Sequence, residues 1–413
     1  MAVGRRSVSF ILGMALYNLG TNYIWTSYNS VVLPRQVELV FPPGMKSLLL
    51  GLIVGFSTAV GLLVNIFSGV RSENVRLRWG RRWPYILVGA FLTSLALLVP
   101  ALLPVAAITT AGSYLMMQFF INFSSGSYQP LLPDIIQEDQ RGETSGFQGL
   151  MTLFGSALGF GLTGYLVGSG LIGDALISMS ATLPFTALVT VRTIRRADTF
   201  PHGPTPTSIG VAIREMFRPR TVVTPFFWLT AGGFMIFMGS VGLMYFEAYY
   251  FEAILHITAP GAAFFAVAIA GLVVLLVAMV SALVFGYLSD RIGRKNLIIG
   301  AALVAGTAIF FVPFVTNFDL FLVLACFVGG PLGVFNSVTY ALASDLAPKD
   351  ETGKYMAYWN LASGGAGVVA PIADGVMLYV FGTSSMPAFV ALFTLSSLFY
   401  FAGAAVLSRM PRG

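Results

Sequence analysis

The sequence contains few charged residues. Asp, Glu, Lys and Arg make up 10% of the 413 residues, whereas hydrophobic residues make up 56% and the mean hydropathy is +0.83. A soluble domain carries about 25% charged residues. A chain with so few charges does not cover its surface with water-facing groups. We therefore expect most of that surface to face lipid.

Cysteine and histidine are nearly absent. Cys326 is the single cysteine, which excludes an intrachain disulfide and a cysteine metal cluster. The two histidines, His202 and His256, lie in different predicted loops, so we expect no histidine metal site. The chain also lacks the G-x-x-x-x-G-K-[ST] phosphate loop of ATP-driven pumps and the strand–turn–helix context of a hydrolase nucleophile. We expect no cofactor and no enzymatic activity.

Twelve apolar stretches are long enough to cross a bilayer as helices. They cover residues 8–33, 46–68, 84–104, 108–132, 145–168, 171–191, 223–254, 259–288, 296–315, 319–343, 354–380 and 386–408. The polar interval 192–222 separates residues 1–191 from residues 223–413. The pattern predicts an all-α membrane protein with six helices in each half, joined by a central loop.

The distribution of basic residues predicts the orientation. The net charge is +6, and Lys and Arg concentrate in the loops on one side of the predicted spans. Only Arg35 and Lys46 lie on the other side. This asymmetry predicts cytoplasmic termini in a plasma or bacterial inner membrane, and it explains the basic balance without nucleic-acid binding.

The two halves share short motifs at matching places. Gly69 to Glu73, followed by Gly80-Arg81-Arg82, corresponds to Gly286 to Asp290, followed by Gly293-Arg294-Lys295. After the fourth and tenth spans, Asp134 and Asp345 begin a second pair of matching segments. These correspondences indicate an internal duplication.

The segment Gly286 to Lys295 reads GYLSDRIGRK and resembles the loop motif of major facilitator transporters. The resemblance covers the whole chain and implies alternating access between two halves. It also implies a cytoplasmic gate of acidic and basic residues, in which Gly286 allows tight helix packing and Asp290 caps the next helix. The expected gate residues are Gly69, Glu73, Arg81, Arg82, Asp134, Arg141, Gly286, Asp290, Arg294 and Asp345.

A narrower resemblance links the first half to sucrose–proton symporters and the related glycoside–pentoside–hexuronide cation symporters. It rests on Ser72-Glu73, on the segment RWGRR that ends at Arg82, and on the segment LLPD that ends at Asp134. Two positions differ from the symporter pattern. Glu73 replaces an aspartate, and Gln129 replaces an arginine implicated in coupling and in sucrose binding.

Polar side chains follow one face of the first and fourth spans. Asn18, Asn22, Trp25 and Asn29 recur at helical spacing, as do Gln118, Asn122, Ser125 and Gln129. Amides in hydrocarbon need hydrogen-bond partners, so both stripes should face protein or water. They would bind a polar solute, or they would join helices to each other. The expected solute contacts are Asn22, Trp25, Asn29, Gln118, Asn122, Gln129, Asn336 and Tyr340.

Two carboxylates lie within predicted spans. An ionisable residue at membrane depth indicates function, so Asp374 and Glu247 are the candidate proton carriers. The alternative is hydration of either carboxylate by an outer vestibule. Near Glu247, Tyr249 and Tyr250 would contact a sugar or belong to an interfacial aromatic belt.

These observations predict a monomeric transporter that moves a small polar solute through a lipid bilayer. A sugar or glycoside is the first candidate for the solute, and we expect its transport to be coupled to protons. Two alternatives stay open. A proton-coupled exporter of amphipathic compounds would have an aromatic and methionine-rich path, and a receptor or scaffold on the same fold would bind a ligand without moving it.

Overall fold

The computed structural model describes residues 5–74, 80–198, 210, 223–348 and 351–411, and it is built from α-helices. Arg76, Arg78 and most of the predicted central loop lie outside the described residues, as does the side chain of Asp290. Two compact units are present. The first contains Met1–Val40 and Phe56–Arg214, and the second contains Phe41–Gly55 and Glu215–Gly413.

Six long helices lie in the first half of the chain. They are α1 (Val8–Ser27, continued by the π-helical turn Tyr28–Val32 and by Leu33–Val40), α2 (Lys46–Asn74), α3 (Trp83–Leu102), α4 (Ala107–Tyr128), α5 (Arg141–Leu158, continued by the π-helical turn Gly159–Thr163 and by Gly164–Gly168) and α6 (Ile172–Ile194). The short helix Leu131–Ile135 follows α4. Helix α2 begins in the second unit and continues into the first.

Six further helices lie in the second half. They are α7 (Thr224–Val241 and Leu243–Ala253), α8 (Ala262–Ile292), α9 (Arg294–Phe311), α10 (Phe318–Val334, continued by the π-helical turn Phe335–Thr339 and by Tyr340–Leu346), α11 (Thr352–Phe381) and α12 (Met386–Ser408). Gly242 interrupts α7 between its two segments.

Twelve long helices among the described residues, six in each half of the chain, confirm the predicted fold class. Ten helices of the described chain are long and apolar enough to cross a membrane. The remaining two long helices, α1 and α4, carry the amide stripes and several hydroxyl groups, which make them less hydropathic. The two least apolar helices are therefore those that the sequence marks as a candidate solute path.

Helix α1 extends further than its hydropathy predicts. The apolar stretch ends near residue 33, but the helix continues to Val40 through Pro34. A proline inside a helix removes one backbone hydrogen bond, and a local π-helical turn is one way in which membrane helices accommodate this loss. The π-helical turn Tyr28–Val32 ends two residues before Pro34.

Glycines bring helices of the first unit into backbone contact. A Cβ atom at Gly155 of α5 would overlap the carbonyl oxygen of Leu19 on α1, and one at Gly126 of α4 would overlap that of Asn65 on α2. Such approaches allow dense packing where apolar burial between helices supplies little driving force. They bring α5 close to α1, and α4 close to α2.

Candidate functional site

The amide stripes of α1 and α4 meet in the first unit through Tyr114. The Tyr114 hydroxyl donates to Oδ1 of Asn29 at 2.9 Å and accepts from Nε2 of Gln118 at 2.9 Å. Nδ2 of Asn122 then donates to Oε1 of Gln118 at 3.2 Å. Asn29 and Gln118 are buried, whereas Asn122 is half-buried. This chain of hydrogen bonds lets two buried amides exist at membrane depth.

The other predicted solute contacts of the first unit differ in their surroundings. Asn22 donates to the carbonyl oxygen of Asn18 at 2.9 Å and to Oγ1 of Thr152 on α5 at 3.3 Å. Trp25 is half-buried, and Gln129 is exposed at the end of α4. The structure therefore joins Asn29 with the α4 amides, and it places Asn22 beside α5.

The second unit contributes Asn336 and Tyr340 on α10. Asn336 lies in the π-helical turn Phe335–Thr339, and Tyr340 follows this turn directly. Both residues are exposed, Tyr340 to 54%. π-Helical turns occur frequently at functional sites because they change the direction of side chains locally. Asn29 of α1 also lies in such a turn.

Asp374 of α11 is buried against the interruption in α7. Its side chain is 2% exposed, and its Oδ2 atom has no hydrogen-bond partner among the described residues. The carboxylate lies against Gly242, where a Cβ atom would overlap Oδ2. Ala370, one turn earlier on α11, belongs to a buried apolar cluster with Met238 of α7. An unpaired charge is unfavourable in such surroundings, so the site accommodates a neutral carboxylic acid far better than a carboxylate.

The beginning of α2 covers the same part of α11 within the second unit. A Cβ atom at Gly375 would lie 2.5 Å from the carbonyl oxygen of Ser47, so the two backbones are in close contact. The Ser47 and Thr383 hydroxyls lie 2.8 Å apart. Nearby, Nζ of Lys46 lies 3.8 Å from the Glu252 carboxylate. These contacts pack the beginning of α2 against the last turns of α11.

Glu247 and its aromatic neighbours lie on the second segment of α7. Glu247 is half-buried, whereas Tyr249 and Tyr250 are buried. The Tyr250 hydroxyl donates to the carbonyl oxygen of Val312 at 2.7 Å. The aromatic-belt interpretation of these two tyrosines is therefore wrong, because both rings lie inside the second unit.

The predicted gate residues of the first unit form an ion cluster around the buried Arg82. Asp134 Oδ2 accepts from Nε of Arg82 at 2.9 Å and from Nη1 of Arg81 at 3.0 Å, and Glu73 lies 4.0 Å from Arg81. Arg82 is 1% exposed. Burial lowers the pKa of the Arg82 guanidinium, and the attraction of Asp134 opposes that shift. Arg141 donates instead to the carbonyl oxygen of Pro133 at 3.3 Å.

The corresponding pair also forms in the second unit. Arg294 of α9 makes an ion pair with Asp345 of α10. These two residues match Arg81 and Asp134 in the sequence repeat, so the same pairing occurs in both halves. The expected role of Gly286 in tight packing is wrong, because a Cβ atom there would meet open space. In the first half, Gly69 does approach α4 closely, since a Cβ atom there would lie 3.2 Å from the carbonyl oxygen of Gly126.

Three residues that sequence patterns missed complete these sites. Asp198 is buried after α6, and its Oδ2 accepts from the backbone N–H groups of Arg82 and Trp83 at 2.7 and 2.8 Å, which caps the start of α3. Tyr114 could not be singled out from the sequence, because apolar helices contain many tyrosines. Gly242 could not be singled out from the 45 glycines of the sequence. The described residues contain no group of three or more His, Cys, Asp or Glu side chains that could hold a metal ion.

Comparisons with known proteins identify relatives of the whole chain. The family model described as Major Facilitator Superfamily matches residues 7–280 and 261–412. A general alpha-glucoside permease of Schizosaccharomyces pombe is 24% identical over 180 residues. That match covers 40% of this chain and spans 32% of the permease, about a third of its length.

Solved structures share the fold at low sequence identity. A crystal structure of a D-xylose-proton symporter has a TM-score of 0.69 and 18% identity, with coverage of 95% of this chain and 97% of that one. A peptide transporter crystallised with sulfate has a TM-score of 0.74 and 12% identity, with coverage of 100% and 98%. At these identities the similarity concerns the fold alone.

Proposed function

We propose, from the premise that this chain belongs to the Major Facilitator Superfamily of membrane transporters, that it moves a sugar or glycoside by alternating access and couples this movement to protons. The observation that carries the coupling proposal is Asp374. Its carboxyl group is buried, and one of its oxygen atoms has no hydrogen-bond partner in the described part of the chain. The group therefore has the surroundings expected of a proton carrier.

The amide network and the alpha-glucoside permease relative support a sugar or glycoside as the solute. Sugar hydroxyls both donate and accept hydrogen bonds, and amide side chains do the same. Asn22, Asn122 and Trp25 are half-buried and offer donors and acceptors in the first unit. Asn29 and Gln118 would act mainly as positioning residues, because both are buried and bonded to Tyr114.

The predicted contacts Gln129, Asn336 and Tyr340 would complete solute recognition. All three are exposed, so they retain surface for a ligand. Gln129 replaces the symporter arginine, so solute binding at this end of α4 would rely on neutral hydrogen bonds. We therefore expect a neutral glycoside to be preferred over an acidic sugar.

Proton coupling would use the break in α7. While Asp374 lies buried against Gly242, a neutral carboxylic acid is favoured over a charge. Opening of this region to water would allow the proton to leave. Glu247 is half-buried on the segment of α7 that follows this break, and it is the second candidate proton carrier.

The ion pairs of the two loop motifs would act as gate elements on the basic side of the protein. Arg81 and Arg82 with Asp134, and Arg294 with Asp345, would break and form again as access alternates. The positive-inside rule puts this side and both termini in the cytoplasm, with the protein in the plasma or inner membrane. We propose a monomer as the working unit.

The proposal is tested by uptake into proteoliposomes that contain the purified protein. Labelled maltose, sucrose, xylose and a dipeptide would each be offered with and without an inward proton gradient. We expect gradient-driven accumulation of at least one glycoside, little uptake of the dipeptide, and collapse of accumulation when an uncoupler dissipates the gradient.

The alternatives give different results in the same vesicles. Sugar uptake that ignores the gradient would contradict proton coupling and leave the sugar proposal intact. Accumulation of cationic amphipathic dyes without sugar uptake would favour the exporter. Saturable ligand binding without flux for any compound, in folded protein, would favour the receptor.

A further inference from the structure

A second set of hydrogen bonds in the first unit converges on the hydroxyl group of Tyr128, the last residue of α4. This hydroxyl accepts from Nδ2 of Asn18 on α1 at 2.9 Å and from Nε2 of Gln148 on α5 at 3.0 Å. It donates to the carbonyl oxygen of Met14 at 2.9 Å. The two amide groups are therefore neighbours, although they lie on different helices.

The Met14 carbonyl fixes the direction of the hydrogen bonds at this hydroxyl. A backbone carbonyl only accepts, so the single proton of the Tyr128 hydroxyl points to Met14. The atoms of Asn18 and Gln148 that contact the hydroxyl must then donate, which identifies them as the amide nitrogens. Both amide oxygens consequently lie on the side of their amide groups that faces away from Tyr128.

Ring packing holds Tyr128 in place. Its ring lies against that of Tyr17, with the ring centroids 4.3 Å apart, and the Tyr17 hydroxyl donates to Oγ of Ser124 at 2.7 Å. Tyr128, Tyr17 and Ser124 are all buried. The hydroxyl that anchors the two amides is therefore part of the rigid interior of the first unit.

The two amide oxygens remain accessible. Among the described residues, neither Oδ1 of Asn18 nor Oε1 of Gln148 makes a hydrogen bond, and both side chains are only half-buried. Gly149 follows Gln148, and a Cβ atom there would meet open space. The network uses amide donors to anchor the side chains and leaves their acceptors available to a ligand.

A purely structural role would use these amides differently. Two polar side chains that only join α1 to α5 bond each other, as Asn22 and Thr152 do at 3.3 Å one turn further along the same helices. Asn18 and Gln148 instead bond the same tyrosine, and each keeps an accessible oxygen. This pattern favours a ligand that donates hydrogen bonds.

We infer that Asn18 and Gln148 accept hydrogen bonds from hydroxyl groups of the transported solute, and that Tyr128 is the positioning residue that orients both amides. The inference rests on the proposed sugar transport, and it adds a residue of α5 to the solute contacts. Because the accessible atoms are acceptors, they recognise a hydroxyl group as a donor. A sugar in which fluorine replaces that hydroxyl has no proton to donate and binds more weakly.

The test measures competition for uptake by full-length protein in proteoliposomes. The probe is labelled maltose, or sucrose or xylose if the wild-type protein takes up one of these faster. Unlabelled derivatives of the same sugar, each with fluorine in place of one hydroxyl group, compete with the probe. For at least one derivative, the loss of a neutral hydrogen bond predicts an inhibition constant about 2- to 12-fold weaker than that of the unmodified sugar.

Variants assign this loss to the amides. Gln148→Met keeps the length of the side chain without the acceptor, so the ratio of the two inhibition constants should fall to one for one derivative and stay unchanged for the others. Tyr128→Phe should lower the same ratio, because the amides lose their anchor. Tyr23→Phe is the matched control: its buried hydroxyl lies 2.6 Å from Oγ of Ser178 on α6, and its loss should leave every ratio unchanged.

The outcomes separate this inference from the proposed function. If the wild-type protein takes up none of the three sugars, the sugar proposal fails and the inference fails with it. Uptake with wild-type ratios in both Gln148→Met and Tyr128→Phe would leave sugar transport standing and overturn the inference in favour of helix packing. Each variant is first checked for monodisperse elution. If Gln148→Met does not fold, Asn18→Ala replaces it, with the loss of one ratio expected and an unchanged set of ratios overturning the inference.

Discussion

The contact between Asp374 and Gly242 makes the most demanding prediction, because a single methyl group should disturb it. In Gly242→Ala, the new Cβ would overlap the carboxylate oxygen of Asp374, so either this side chain or the α7 segment must move. Overpacking of this kind costs about 1–3 kcal/mol. If the cost falls on the closed state that holds the proton, the population of that state decreases by about 5- to 150-fold.

Two assays measure the two consequences of Gly242→Ala. Thermal unfolding in detergent can be followed by the intrinsic fluorescence of the five tryptophans. Gradient-driven uptake in proteoliposomes reports coupling. We expect a lower melting temperature and at least about fivefold less accumulation, in line with the estimated change in population.

Matched variants isolate the contact. Gly300→Ala, in open space on α9, should be neutral or slightly stabilising because alanine favours a helix by up to about 1 kcal/mol. Combining Gly242→Ala with Asp374→Ala should relieve the overlap and restore stability without restoring coupling. The double-mutant cycle should give an interaction of about 0.5–3 kcal/mol. A Gly242→Ala protein that melts and accumulates solute like the wild type would refute this account of the site.

Three further predictions concern the first unit and its counterpart. Asp198→Ala should destabilise the protein by about 0.5–2 kcal/mol in thermal unfolding, because the cap on the start of α3 is lost, and an unchanged melting temperature would contradict the capping role. Arg82→Gln should cost about 1.5–3 kcal/mol because it removes the charge-assisted hydrogen bonds of a buried guanidinium, whereas Arg294→Gln should cost at most about 1 kcal/mol because its ion pair is 26% and 59% exposed; equal losses would refute this distinction. Tyr114→Phe should cost about 1–3 kcal/mol and raise the KM for solute, since two amides lose their shared partner, and an unchanged KM would show that the network does not position the solute contacts.

The apolar stretches of the sequence were enough to predict the twelve long helices, ten of which are long and apolar enough to cross a membrane among the described residues. The ends of the helices were harder to predict. The apolar stretch of α1 stops before Pro34 and Arg35, yet the helix continues to Val40. A π-helical turn before Pro34 has no clear sequence signature, so the longer helix was not predictable from hydropathy.

The candidate site was predictable only in part. Helical spacing placed Asn29 and Gln118 on polar faces, because one helix face follows directly from the sequence. Their meeting through Tyr114 depends on the axial register between α1 and α4, which the spacing within one helix does not determine. The position of Asp374 against Gly242 depends in the same way on the packing of α11 against α7.

The repeat was informative where chemistry recurs. The sequence match of Arg81 with Arg294, and of Asp134 with Asp345, predicted equivalent roles, and the same ion pair forms in both units. The sequence match did not indicate that the ion pairs of the two halves differ in burial. Arg82 is buried, and its partner Asp134 also accepts a hydrogen bond from Arg81, whereas the pair of Arg294 and Asp345 is exposed to solvent.

The most direct test of the central claim compares two forms of transport in Asp374→Asn. Solute exchange across the membrane at equal pH needs no net proton movement, whereas accumulation against a gradient does. Asp319→Asn, at the exposed start of α10, serves as the matched control. We predict that Asp374→Asn retains exchange and loses proton-driven accumulation, while the control retains both. Proton-driven accumulation in Asp374→Asn at the wild-type level would contradict the assignment of Asp374 as the proton carrier.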